Sequence, residues 1–360
     1  MKSGVKIKYI IMAGILCAAL FCGHIVMEKQ KKLSVMKELS KGINLGNSLD
    51  VHDSYASFSE PEEWETYWGN PPITEELLKA VRDRGFLTIR IPVTWGVHQD
   101  ETGRIDPAWM NRVREVVDWA LELEFSVILD AHHEEWVDLT PEGLERSETR
   151  LRLLWTQIAQ AFSDCGEKLF FEGLNEPRMI GTDEEWTAGT KELRSAVNRL
   201  NAAFVETVRA SGGNNDTRWL LLQAYGNSGE QEALEDMVLP DDDRLIVSMH
   251  CYRPFPFALD TPGTAVWNPQ NTEDTEPIDQ FMRSIQELFL DKGIPVVISE
   301  FGSRDKGNLD ERLKWTDYFV ESAKKKDIPL IWWDDGNEFR LIDRHHGNWV
   351  FDELVDLLLL

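Results

Sequence analysis

Eight short β-rich segments recur along this chain, each followed by a stretch with helical or loop character, and that alternation leaves few folds open. The segments are GINLGN (42–47), TIRIPV (88–93), SVILDAH (126–132), KLFFEGLNE (168–176), WLLLQA (219–224), RLIVSMHCY (244–252), IPVVISEFG (294–302) and IPLIWWDDG (328–336). Several are apolar at consecutive positions, as strands covered on both faces are. Between them lie amphipathic patterns. TEELLKAVRDRG (74–85) opens on Thr74 as a candidate N-cap, places Leu77, Leu78 and Val81 on one face and stops at Gly85. Residues 107–124 carry Val113, Val116, Val117, Ala120 and Leu121 on one stripe. Further helices are expected over 147–162, 190–211, 278–291, 310–326 and 352–360. Strand–helix units in series form parallel sheets with right-handed crossovers. Eight of them close naturally into a (β/α)8 TIM barrel, which takes roughly 250 residues before insertions. The 360 residues therefore fit one such domain and a short leader.

The leader is legible in its charges. Lys2, Lys6 and Lys8 precede an apolar run from Tyr9 to Met27, and EKQKK follows. This is an export pattern, long for a cleaved signal and near the lower limit for a membrane span. Residues 1–32 are expected to be a signal peptide or an N-terminal membrane anchor, and residues 33–360 the catalytic domain. The protein is then secreted or held at the outer face of the cell membrane. Of the four cysteines, Cys17 and Cys22 fall in the leader. Cys165 precedes a strand and Cys251 ends one, so they belong to opposite faces of a parallel barrel and are expected to be free thiols. A net charge of −25 argues against nucleic acid and against strongly anionic polymers. A monomer without cofactor is the simplest expectation.

In a parallel barrel the chemistry sits at the C-terminal ends of the strands. Those ends carry Asn44 and Asn47, Arg90, His132 and His133, Asn175 and Glu176, His250 and Tyr252, Glu300, and Trp332, Trp333, Asp334 and Asp335. Two acids delivered to one rim by apolar strands meet the requirement of glycoside hydrolysis, one carboxyl protonated and one ionised. Glu176, beside an amide that can hold a sugar hydroxyl, is the expected acid/base. Glu300, on the rigid VVIS strand, is the expected nucleophile, with Arg90 and Tyr252 as candidate partners. Arg90 should favour ionised Glu300, and the Glu300 charge should raise the Glu176 pKa. No third ligand with suitable spacing accompanies His132 and His133, so no metal site is expected. The chain holds 14 Trp, and flat aromatic faces stack on sugars. Trp136 and Trp267, on loops, are the expected platforms. The long loops 48–73 and 253–276 look like cleft walls.

The motifs GINLGN, IRIPVTW, DAHHE, FEGLNEPR, SMHCYRPFPF, VVISEFG and WWDDG closely resemble those of family 5 glycoside hydrolases, the cellulase family of clan A, and within it the endoglucanase subgroup with xyloglucanase and lichenase members. The resemblance covers about residues 40–350. It implies a (β/α)8 barrel, a retaining double displacement on a β-glucan and no cofactor. It supports Glu176 as acid/base and Glu300 as nucleophile. It places Arg90, His133, Asn175, His250, Tyr252 and Trp333 around the sugar that is attacked, and it implies a cis peptide at Trp333–Asp334; Asn47 and His132, at the same rim, are further candidate substrate contacts. Asp130 and Asp335 stand where many relatives have Asn. Mannan and xylan are the alternative substrates, and a non-catalytic glycan-binding barrel is the alternative function.

Overall fold

The strands form where the apolar runs place them. In the computed structural model, which describes residues 30–53 and 55–360, they are β1 (Gly42–Asn44), β2 (Thr88–Ile91), β3 (Ser126–Asp130), β4 (Leu169–Glu172), β5 (Leu220–Leu222), β6 (Leu245–Cys251), β7 (Val296–Phe301) and β8 (Leu330–Trp332). Each pairs in parallel with its sequence neighbour, and β8 returns to β1, closing the barrel. The helices are α1 (described over residues 30–38), α2 (Pro61–Thr66), α3 (Glu75–Arg84), α4 (Pro107–Glu122), α5 (Leu144–Ala161), α6 (Lys191–Ala210), α7 (Gln231–Glu235), α8 (Phe255–Ala258), α9 (Thr272–Leu288), α10 (Leu309–Lys324) and α11 (Asp352–Leu358). A small hairpin of β9 (Ile342–Asp343) and β10 (Asn348–Trp349) follows β8.

The helix boundaries follow their caps. Thr74 accepts the Leu77 N–H at 3.2 Å, and Gly85 ends α3 with φ of 118°. The helix α9 starts six residues before the expected 278, because the Asn271 side chain caps it by accepting the Glu273 N–H and the second turn tolerates Pro277. The short helices α2 and α8 lie in the expected loops 48–73 and 253–276, and α7 and the β9–β10 hairpin lie in segments to which the sequence assigns no element.

Side chains two apart on a strand share a face, and that periodicity builds the barrel interior in layers. Ile128, Phe170, Ile246, Val297 and Ile331 form an apolar layer, to which α1 adds Val35, Met36 and Leu39. Two residues on, the same faces carry Asp130, Glu172, Ser248 and Ser299, all buried. A second core packs outward strand residues such as Trp332 against helix residues such as Trp155 of α5 and Trp315 of α10. A register shift after Met249 sets His250 opposite Glu300 across β6 and β7.

Cys165 and Cys251 are both free and buried. Residues 1–29, and with them nearly all of the expected leader, lie outside the described residues. Among the described residues no helix is long and apolar enough to cross a membrane.

Candidate active site

Arg90 is the centre of the buried polar layer, and all of its donors are used. Its Nε donates to Glu172 at 2.6 Å, Nη1 to Glu300 at 2.6 Å and Asn44 at 3.0 Å, and Nη2 to Asp130 at 2.7 Å and Asn175 at 2.9 Å. Burial alone would weaken its charge, but the Glu172, Asp130 and Glu300 carboxylates outweigh burial and raise its pKa. A guanidinium only donates, so both amide oxygens that face it are fixed as Oδ1. The Asn44 amide nitrogen then donates to the Ser299 carbonyl at 2.9 Å, tying β1 to β7. Glu172 is held from the other side by Ser248 at 2.5 Å.

Glu300 and Glu176 face one another above this layer. Glu300 takes Arg90 on Oε1 and the Tyr252 hydroxyl on Oε2 at 3.1 Å. Glu176 takes Arg178 at 3.3 Å. The Nδ1 of His250 lies 2.7 Å from Glu176 and 3.4 Å from Glu300. One oxygen of each acid and a ring nitrogen of His250 fall within 4.8 Å of one another. So close an approach suits a retaining pair, whose carboxyls stand about 5–5.5 Å apart, better than an inverting pair, whose carboxyls stand about 6.5–9.5 Å apart.

Burial dominates the electrostatics. It pushes Glu300 up to about 7, opposed by His250 and Arg90. It raises Glu176 as well, opposed by Arg178 and Arg90, and lowers His250 so that the imidazole is neutral. Arg90 favours ionised Glu300, as expected, but burial outweighs it, and its one charge is shared with Asp130 and Glu172. Asp130 is itself pushed up to about 6 by burial.

The rest of the rim is built on these groups. His132 binds Asp130 through Nδ1 at 2.7 Å and lies parallel to the Trp333 ring, centroids 5.7 Å apart. Trp333 is half-buried and packs so close to Gly46 that an added Cβ there would meet ring carbons at 2.6 Å. Half-buried His133 packs against His132 and His52. A cavity of about 200 Å³ is lined by His52, His132, His133, Asn175, Glu176 and Arg178.

The profile of the Cellulase family (glycosyl hydrolase family 5) matches residues 51–339. The chain belongs to glycosyl hydrolase family 5. It is 40% identical over 334 residues to Endoglucanase A of Clostridium longisporum, a match covering 90% of this chain and 65% of that protein. Among solved structures, the GH5-4 broad specificity endoglucanase from Clostridium longisporum superposes with a TM-score of 0.87 at 39% identity, covering 91% of this chain and 97% of that one. A family 5 lichenase from Caldicellulosiruptor sp. F32, solved as a mutant with cellotetraose, gives a TM-score of 0.87 at 34% identity, covering 91% and 94%.

Several sequence expectations need correction within this family 5 barrel. Trp267 is only 1% exposed, packs on Tyr318 and donates its N–H to the Asp274 carbonyl at 3.2 Å, so it is core and not a sugar platform. Trp136 is half-buried, with its N–H on Glu134 and the Arg150 guanidinium 5.0 Å from its ring centroid. Asn47 has φ of 57°, donates its backbone N–H to Asp50 and accepts from Asn70 through its carbonyl. Their half-buried side chains leave both as candidate substrate contacts. Among the described residues the cis peptide is Arg253–Pro254, not Trp333–Asp334. The backbone there is pinned on both sides, Trp333 N–H on the Phe301 carbonyl at 2.8 Å and the Asp334 carbonyl accepting from Gly46 N–H at 2.9 Å.

Glu172, Asp50 and Arg178 were missed by sequence reasoning. Glu172 had a usable signal, a carboxylate inside an apolar strand two residues from Phe170 on the same face. Arg178 also had a signal, standing two residues after Glu176 in FEGLNEPR; Asp50 had none, since His132 comes from another segment.

Proposed function

We propose that this protein is a retaining endo-β-1,4-glucanase acting on a soluble or amorphous β-glucan. The observation that carries this reading is the Glu176–Glu300 pair, oxygens within 4.8 Å and both in contact with His250. Two carboxyls that close titrate as a pair, and the working form holds one proton. Protonating Glu300 would weaken the hydrogen bonds it accepts from Arg90 at 2.6 Å and Tyr252 at 3.1 Å, whereas Glu176 faces a neutral imidazole at 2.7 Å and the longer Arg178 contact at 3.3 Å. The proton therefore sits on Glu176.

Glu300 attacks the anomeric carbon while Glu176 protonates the departing glycosidic oxygen. A glycosyl–Glu300 ester forms and the aglycone leaves. The Glu300 charge is now gone, and Glu176, ionised, takes a proton from water as it attacks the same carbon from the face the aglycone left. Two inversions retain the β configuration. Asn175, its oxygen held by Arg90, has its NH₂ group free to hold a sugar hydroxyl. Trp333 and His133 serve as further contacts to the attacked sugar.

The similarity to proteins named endoglucanase and lichenase supports β-glucan over mannan or xylan. The lysine-flanked apolar run before residue 28 supports export or anchoring at the cell surface. Reducing-sugar release from barley β-glucan tests the activity. Glu300→Ala should abolish turnover, and azide should restore it as an α-glycosyl azide. Proton NMR of the first wild-type product should show the β anomer. Absence of hydrolysis on every β-glycan by folded protein would favour a glycan-binding role instead.

A further inference from the structure

Spacing along the chain offers His132 and His133 no third ligand, but the fold brings one. Asp50, in the loop after β1, stands with its Oδ2 4.0 Å from His132 Nε2. One ligand atom each of Asp50, His132 and His133 lies within 4.8 Å of the other two. Asp50 lies 82 and 83 positions before His132 and His133, and nothing in the proposed hydrolytic steps calls on Asp50.

The arrangement has the details a metal site requires. His132 gives its Nδ1 hydrogen bond to Asp130 at 2.7 Å, which fixes the tautomer and leaves the Nε2 lone pair toward Asp50. A carboxylate behind an imidazole in this way is the usual support of a metal-binding histidine. Asp50 is fully buried, and its oxygens already hold the Asn47 and Ser48 N–H groups at 3.0 and 2.8 Å, which keeps it in place while leaving each oxygen a second lone pair. His52, 4.3 Å from His133 between ring centroids, has a buried Nδ1 without a hydrogen-bond partner. His52, His132 and His133 all line the cavity of about 200 Å³ that also contains Glu176, so an ion and a sugar would meet there.

We propose that Asp50, His132 and His133 form a site for a divalent transition-metal ion, Cu²⁺ or Zn²⁺, whose occupation blocks the sugar cleft. Two imidazole nitrogens with one carboxylate suit these borderline ions and not Mg²⁺ or Ca²⁺, which take oxygen ligands. Binding is independent of the hydrolytic reading; inhibition rests on it.

The test must separate this cluster from Glu176, His250 and Glu300, which also bring ligand atoms within 4.8 Å of one another. It must also exclude the exposed His345–His346 pair, so it uses the full chain carrying His345→Ala and His346→Ala. Copper(II) is titrated at pH 7 and followed by calorimetry and electron paramagnetic resonance. One Cu²⁺ per chain with the hyperfine pattern of two imidazole nitrogens is expected. Adding Glu176→Gln and Glu300→Gln should leave the affinity within about threefold, whereas Asp50→Asn or His133→Gln should each weaken it by about tenfold or more. In the active background, Cu²⁺ should raise KM for a cello-oligosaccharide at unchanged kcat. Absence of binding, a spectrum without nitrogen coupling, or binding lost with the two glutamates and kept in His133→Gln would overturn the proposal. The spectrum of the protein with Asp50, His132 and His133 intact decides the ligand set even if a variant fails to fold.

Discussion

Arg90 and Asp130 are paired at 2.7 Å with neither side chain reached by solvent, and Asp130 thereby takes part of the positive charge that Glu300 also depends on. Asp130 adds a buried negative charge beneath Glu176 and Glu300 and, through His132, beneath Trp333.

Replacing Asp130 by Asn should therefore shift the pH dependence of catalysis. With that charge removed, Arg90 favours ionised Glu300 more strongly and the Glu300 pKa falls. The acid limb of kcat/KM should move to lower pH by about half a unit to one unit. The pH–rate profile of Asp130→Asn on a soluble β-glucan checks this. A limb that stays in place or moves upward would mean that the charge is not shared as described.

Arg90→Lys keeps one positive charge but loses the fork. A lysine ammonium has three donors, and Arg90 uses its guanidinium on Glu172, Glu300, Asp130, Asn44 and Asn175 at once. Buried carboxylates left unpaired cost about 3–5 kcal/mol, and loss of the aligned donor on Glu300 should reduce kcat by about a hundredfold or more. Urea denaturation and steady-state kinetics on the same preparation read both effects.

Trp267 separates core from platform. Its ring is almost wholly buried against Tyr318. Trp267→Ala should destabilise the fold by about 3–5 kcal/mol through the cavity it leaves, with KM for cello-oligosaccharides unchanged. A selective rise in KM at wild-type stability would restore the platform role.

Glu134 carries a pH dependence of stability that a single variant isolates. Burial pushes its carboxyl up to about 7, whereas unfolded it titrates at about 4. Between those values the folded state holds a proton there that the unfolded state has lost, so this group's contribution to stability falls as pH rises. The buried histidines His98, His132, His133 and His250, lowered by burial, contribute with the opposite sign, so the comparison is with a variant. The thermal midpoint of Glu134→Gln relative to the unsubstituted protein should be more favourable at pH 8 than at pH 5. Calorimetry at constant ionic strength measures it, and a difference that is the same at both pH values would refute protonation of Glu134.

Much of this protein was legible in its sequence because strands buried on both faces announce themselves as apolar runs, and barrel geometry then gathers their C-terminal ends. Glu176, Glu300, Arg90, Asn175, His250 and Tyr252 could be placed at one rim from residue order alone. Only the tertiary structure decided which aromatic side chains are core, as with Trp267, and how one guanidinium is divided among Glu172, Asp130 and Glu300. It alone set Asp50 beside His132. The reason is physical: a strand's periodicity is local and written in consecutive residues, whereas burial, charge sharing and ligand convergence depend on side chains from distant segments meeting in a dry interior, where each group's ionisation is set by its neighbours.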